Sequence, residues 1–226
     1  MERKVTYTFE LENGSRWEYQ LMFDAEHRYI PPPQAAPREW TRLDFNKCPH
    51  CPLQSSSSPQ CPVARNLDSV VEDSKSTLSY TRAVVTVVTK ERSYSKACAT
   101  QEGLRSLFGL LMASSGCPHL DWLRPLARFH LPFGDADESL FRILSLQLLE
   151  AYFSGKGDSM SQCAKEIETR YKKVEAVNHT FKKRIRDHCE KDADKNAIAA
   201  LDVFVQMFNF QAESNFSSLR KYFSPK

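Results

Sequence analysis

The stretch Val5-Thr6-Tyr7-Thr8-Phe9-Glu10-Leu11-Glu12-Asn13-Gly14-Ser15-Arg16-Trp17-Glu18-Tyr19-Gln20-Leu21-Met22-Phe23 decides the fold class. Val5, Tyr7, Phe9 and Leu11 alternate with polar residues, and Trp17, Tyr19, Leu21 and Phe23 resume the alternation. Period two is the mark of a half-buried strand. Asn13-Gly14 between the runs predicts a hairpin whose two turn positions both take positive φ. Working outward, residues 82–89 (Arg-Ala-Val-Val-Thr-Val-Val-Thr) are rich in β-branched residues and read as a strand. Residues 93–99 return after the polar turn Lys90-Glu91-Arg92. Two hairpins predict a small antiparallel sheet of about four strands.

The second half is helical. Asn66–Leu78 carries a helical pattern through Leu67, Val70, Val71 and Leu78. Leu104, Leu107, Phe108, Leu111 and Met112 fall at helical spacing, with Gly116 fitting the end of that helix. Leu120, Leu123, Leu126 and Ala127 predict a short helix interrupted at Pro125 and Pro132. Residues 138–153 are apolar on most sides, which predicts a helix buried in a bundle. Met160, Cys163, Ile167, Tyr171, Val174, Val177, Phe181, Ile185 and His188 recur every three or four positions, so 160–189 reads as one long amphipathic helix. Residues 195–209 and 214–223 supply two more. Sheet first and helices after make an α+β fold. The expected organisation is one domain over 1–226: a hairpin in 1–30, a Pro/Cys-rich loop in 31–64, a helix and second hairpin in 65–100, and a helical half in 101–226.

Composition limits function. Thirty-one basic and 28 acidic residues among 226 leave a net charge of +3, too little to indicate nucleic acid. Hydrophobic residues at 41% and charged residues at 26% suit a globular domain, not a disordered or collagen-like chain. The basic residues of Lys172–Arg186 alternate with acids and read as a solvated helix face. Arg124, Arg128 and Arg142 read as snorkelling or paired with Asp121, Asp137 or Glu138. No dinucleotide fingerprint, phosphate loop or His-Glu-x-x-His is present. No apolar run follows the basic residues after Met1, and Leu140–Phe153 is too short and too polar to cross a bilayer, so the expected location is cytoplasmic.

In that compartment seven cysteines are reduced thiols, metal ligands or catalytic groups. Four precede proline: Cys48, Cys51, Cys61 and Cys117. At ordinary proline frequency, seven cysteines give roughly 0.4 such pairs, so four are an excess. The spacing C-x2-C-x9-C-x55-C can supply four thiolates to one site. Structural zinc is the favoured metal, and a 4Fe–4S cluster the alternative. Cys117-Pro118 has the form of a helix start, where the helix dipole favours thiolate. His50, His119 and His130 are expected to hydrogen-bond a ligand sulfur or to replace a cysteine as ligand. A nucleophile pair of Cys117 and His119 with Asp121 is the enzymatic alternative, disfavoured because i and i+2 do not face one another on a helix. The loop itself, with eight prolines from Pro31 to Pro62 and a run of serines from Ser55 to Ser58, admits no regular element. Ordering it costs about 1–2 kcal/mol of backbone entropy per residue, and metal ligation is the expected compensation. Partners are unassigned: another protein, or self-association through the 160–189 helix.

The strings Cys48-Pro-His-Cys-Pro-Leu53, Cys61-Pro-Val-Ala64 and Ser115-Gly-Cys-Pro-His-Leu120, with Leu123-Arg-Pro-Leu-Ala-Arg-Phe-His-Leu-Pro-Phe133, resemble motifs of an uncharacterised bacterial family of unknown function. The resemblance implies a bacterial, cytosolic protein and carries no activity, substrate or cofactor.

Overall fold

The structure is a computed structural model describing residues 3–33, 36–155, 160–189, 191–193, 195–199, 201 and 216–223. Strands β1 (Arg3–Leu11), β2 (Arg16–Phe23), β3 (Tyr29–Ile30), β4 (Arg82–Val88) and β5 (Ser93–Ala99) form one antiparallel sheet in the order β3-β2-β1-β4-β5. The α+β expectation holds, with one more strand than expected. The pattern 5-7-9-11 points Val5, Tyr7, Phe9 and Leu11 to one buried face, where Tyr7 pairs with Tyr19 and Phe9 with Trp17 across the hairpin. The hairpin turn differs from expectation. Gly14 has φ 83°, Asn13 is not among the residues at positive φ, and Leu11 N–H donates to Ser15 O at 2.9 Å. That is a three-residue connection with glycine at the left-handed position, so only one residue needs positive φ.

The helices are α1 (Pro62–Ser74), α2 (Thr100–Ala113), α3 (Arg124–Arg128), α4 (Ala136–Phe153) and α5 (Met160–Arg186); α2 packs on the buried face of the sheet, with α1 and α3 against α2 and α4 against α3 and α5. Short 3₁₀ turns occupy Glu39–Thr41 and Asp121–Leu123. Gly103 sits where α2 meets the sheet. A Cβ there would lie 2.6 Å from a Phe9 ring carbon and 2.8 Å from a Val85 methyl, so the close approach requires glycine. Asn66 on α1 donates to Leu111 O of α2 at 3.0 Å, tying the two helices inside the core. The α5 stripe is as expected: Cys163, Ile167, Tyr171, Val174, Val177, Phe181 and Ile185 are all buried.

Two helical expectations need correction. In α4 only Leu140, Ile143, Leu144, Gln147 and Ala151 are buried, while Phe141, Leu149, Tyr152 and Phe153 are exposed. The helix lies on the surface with an apolar outer face, because five inward positions suffice to seat it. Its start is set by a capping box in which Asp135 and Glu138 satisfy each other's backbone N–H. In α5, Arg184 is buried and does not belong to a solvated face. Helical residues at 195–199 and Ser217–Arg220 agree with the two last helices, most of whose remaining residues lie outside those described. Among the described residues no helix is long and apolar enough to cross a membrane.

Candidate metal centre

The Pro/Cys-rich loop is more ordered than proline count alone suggests. Trp40 and Leu43 are buried in it. Cys61 N–H donates to Thr41 O (2.8 Å) and Leu43 N–H to Pro59 O (2.9 Å), so the two ends of the loop run together through an Arg42–Gln60 bridge. Arg38 pairs with Asp68 of α1. From the other side Arg184 donates to the carbonyls of Trp40 and Arg42, and at longer range to Leu43 and Asn46. Metal ligation is therefore not required as the sole compensation for loop ordering, because apolar burial and a buried guanidinium already contribute.

These contacts carry the cysteines. Cys51 N–H donates to Cys48 O at 3.1 Å, closing the turn that sets the C-x2-C pair. Cys61 is the N-cap of α1, with Pro62 in its first turn. The helix-start reading of Cys-Pro thus applies at Cys61 and not at Cys117. Cys117 precedes a tight turn in which its carbonyl accepts from Leu120 and Asp121 N–H, both at 2.9 Å. No α-helix of useful length begins there; in place of a helix dipole, the backbone N–H groups of His119 and Leu120 act in favour of its thiolate, against the larger effect of burial.

Cys48, Cys51, Cys61 and Cys117 line one cavity of about 20 Å³, together with Lys47, His119, Thr180 and Arg184. Cys98, Cys163 and Cys189 do not line it. All seven cysteines are free thiols. His119 lies beside the four, its Nε2–H donating to His50 O at 2.8 Å. His50 is exposed and contributes that carbonyl. His130 is not brought to the cysteines. It lines a different cavity, where its Nε2 is 2.5 Å from the Tyr7 hydroxyl. Asp121 faces Arg124 at 3.5 Å and Arg28 at 3.7 Å, so it is an ion-pair partner and not a base for Cys117.

The electrostatics are unusual. Burial pushes the Cys117 thiol up to about 12, and neighbouring Cys61 and Cys48 add to the rise. Cys48 is raised for the same first reason, against a hydrogen bond from Thr180. Burial thus favours the protonated form of Cys48 and Cys117, the opposite of an activated nucleophile. Burial also draws Arg184 below its usual range, while Cys61, Cys48 and Cys51 act in the other direction when ionised. Arg184 is only 2% exposed, and no described carboxylate pairs with it. Lys47 donates to Leu53 O at 2.7 Å and likewise has no carboxylate partner among the described residues. Two cations thus border four thiols without a counter-anion. Sequence reading missed Arg184 because its neighbours Lys182, Lys183 and Arg186 disguise one inward position as part of a charge run.

A metal dication with four thiolates carries net charge −2, which Lys47 and Arg184 would balance. The volume fits one ion, since 10–15 Å³ holds a single water. Among the described residues no group of three or more His, Cys, Asp or Glu side chains already stands in chelating geometry.

Residues 5–224 match a family described as a domain of unknown function (DUF6901). The chain belongs to that family. Comparison with curated proteins and with solved structures gives no match.

Proposed function

We propose that this DUF6901 protein binds one metal ion through Cys48, Cys51, Cys61 and Cys117, with structural zinc as the first choice. The metal fastens the Pro/Cys-rich loop to the turn after α2, and the role is that of a regulatory or interaction module and not of an enzyme. The observation that carries the reading is the buried Arg184, with the half-buried Lys47, beside four thiols and no carboxylate. Burying a cation without an anion is costly. A tetrathiolate centre supplies the missing negative charge, and zinc displaces the thiol protons as it binds. His119 stands where it can donate to a ligand sulfur after a change of partner, and His50 holds it through its carbonyl. The reading places the protein in a bacterial cytosol, where reduced cysteines serve as ligands, with a protein or a second copy of this chain as partner.

The alternative is a 4Fe–4S cluster, for which four cysteine thiolates are a complete ligand set. Cavity volume favours the single ion, because a cluster forces the walls outward. Net charge does not separate the two.

Elemental analysis of natively purified protein tests both. One equivalent of zinc in a colourless protein is expected. Iron, with a brown colour and violet-edge absorbance in anaerobically purified protein, assigns the cluster. Metal-free protein, in which Cys61→Ser and Cys117→Ser fold and unfold as the parent does, removes both.

A further inference from the structure

α4 is apolar on two sides, and the subunit buries only one of them. Leu140, Ile143, Leu144, Gln147 and Ala151 face inward. On the other side Phe141, Leu148, Leu149, Tyr152 and Phe153 are exposed, the last two by 77% and 78%. Steps of three and four residues set these five beside one another on the helix surface. The face continues beyond α4. Tyr222, also exposed, donates its hydroxyl to Asp137 Oδ2 at 3.0 Å, and Asp137 lies one turn before Phe141. At about 200 Å² for a whole aromatic side chain, the exposed parts of these six residues amount to roughly 700 Å². The largest apolar patch on a typical monomer covers about 300–600 Å².

Area, shape and charge all suit a second copy of this chain. A twofold contact uses the same patch on both chains, so roughly 1,400 Å² is available in total, above the ~1,000 Å² that a biological interface needs. The face is also self-complementary. In an antiparallel pair whose axis crosses α4 at the level of Leu146 and Gln147, Phe141 of one copy lies opposite Tyr152 and Phe153 of the other. Ser145, the small residue in the middle of the face, then lies opposite Leu148 and Leu149, and large against small is how facing helices interlock. The bordering charges are already engaged: Asp137 by Lys221 at 2.9 Å, Glu150 by Arg170 at 2.6 Å, and Arg142 by the carbonyls of Leu126 and Phe129. Docking therefore buries no unpaired charge. A helix face made for lipid has lysines and arginines along its border, whereas two of these three border residues are acidic. The α5 stripe, where self-association was expected, is buried inside the subunit and offers no seam.

We propose that the outer face of α4 is the interface of a homodimer, in which two copies pack antiparallel about a twofold axis. Phe141 of each copy pairs with Tyr152 and Phe153 of the other, and Leu148 and Leu149 close over Ser145. None of the four cysteines lies on this face, so the assignment stands independently of the metal.

Sedimentation velocity of the full chain, as purified, over about 1 to 100 μM tests the assignment, because interfaces of this size dissociate at micromolar concentrations or below. A dimer of the 26.0 kDa chain is expected. Phe141→Lys and Tyr152→Glu, both at exposed positions, are each expected to weaken dimerisation about tenfold or more with an unchanged circular dichroism spectrum. Mixed in equal amounts, the two variants are expected to form a heterodimer about tenfold tighter than either variant alone. One end of that heterodimer brings the introduced lysine against the introduced glutamate, and the other keeps Phe141 against Tyr152. A parent still monomeric at the top of the concentration range, variants that dimerise as the parent does, or a mixture no tighter than its components overturns the proposal. So does a monomeric parent that cosediments with phosphatidylcholine vesicles while Tyr152→Glu does not, which gives the face to lipid.

Discussion

Replacing Arg184 by Met removes the guanidinium and keeps most of the apolar stem, so it isolates the polar role of the residue. Arg184 donates to Trp40 O and to Arg42 O at 2.7 Å, and to Leu43 O and Asn46 O at 3.4 Å. Hydrogen bonds from a charged donor contribute about 1.5–3 kcal/mol each. The two short bonds therefore account for about 3–6 kcal/mol, and the two long ones add little. Some water will reach the freed carbonyls, which places the expected loss at about 3–4 kcal/mol in metal-free protein. A domain stable by about 5–15 kcal/mol feels that strongly. With zinc bound, the substitution also removes one of two cations balancing the tetrathiolate, so zinc affinity falls about tenfold, equivalent to about 1.4 kcal/mol. Urea unfolding with and without chelator measures the first quantity, and competition with a chromophoric zinc chelator measures the second. A loss below about 1 kcal/mol in chelated protein would refute the clamp, on the same hydrogen-bond magnitudes. Unchanged zinc affinity would refute Arg184 as the counter-charge of the centre.

Gly103→Ala gains about 1 kcal/mol of helix propensity but drives a methyl into Phe9 and Val85 at 2.6 and 2.8 Å, both fully buried. Overpacking of that kind costs about 1–3 kcal/mol, so net destabilisation of about 1–2 kcal/mol is expected in chemical unfolding. An unchanged or raised midpoint would show that the sheet can move away from α2. His130 is held down to about 3, by burial first and then by Arg142 and Arg3. The folded form thus binds a proton less readily than the unfolded chain. Stability from this group is complete above the unfolded value near 6.5 and is lost as pH falls from there toward 3, at up to about 1.4 kcal/mol per pH unit. His130→Gln should flatten the pH dependence of unfolding between 6 and 4 by one proton. An identical slope in parent and variant would contradict the shift.

The hairpin of 5–23 was readable because a sheet with one buried face imposes alternation on every residue, and β1–β2 obeys it over its whole register. Its turn was read less accurately. Asn-Gly announces a reversal, but the number of loop residues, and so which one needs positive φ, follows from how the two strands meet. The α5 stripe was readable for the same reason as the hairpin. In α4 apolar residues on most sides suggested a helix buried in a bundle, yet the outer face of the helix is exposed. Hydrophobicity reports what a residue tolerates, and only packing decides which face has a neighbour.

The cysteines divide in the same way. That Cys48, Cys51, Cys61 and Cys117 belong together was visible from their prolines and from a C-x2-C pair that one turn can present. Local chemistry placed a helix start at Cys117-Pro118, and the fold uses it at Cys61-Pro62 instead.

Local order, strand alternation, helical periodicity and the grouping of four thiols were written in the chain because each depends on neighbours within a few residues or on a repeated pattern. Burial of Arg184 beside those thiols and the pairing of Tyr7 with His130 belong to the tertiary structure alone. Each arises where segments more than a hundred residues apart in the chain, such as Trp40 and Arg184, are brought within hydrogen-bond distance. A side chain's solvent, and therefore its charge balance, is set by those distant segments.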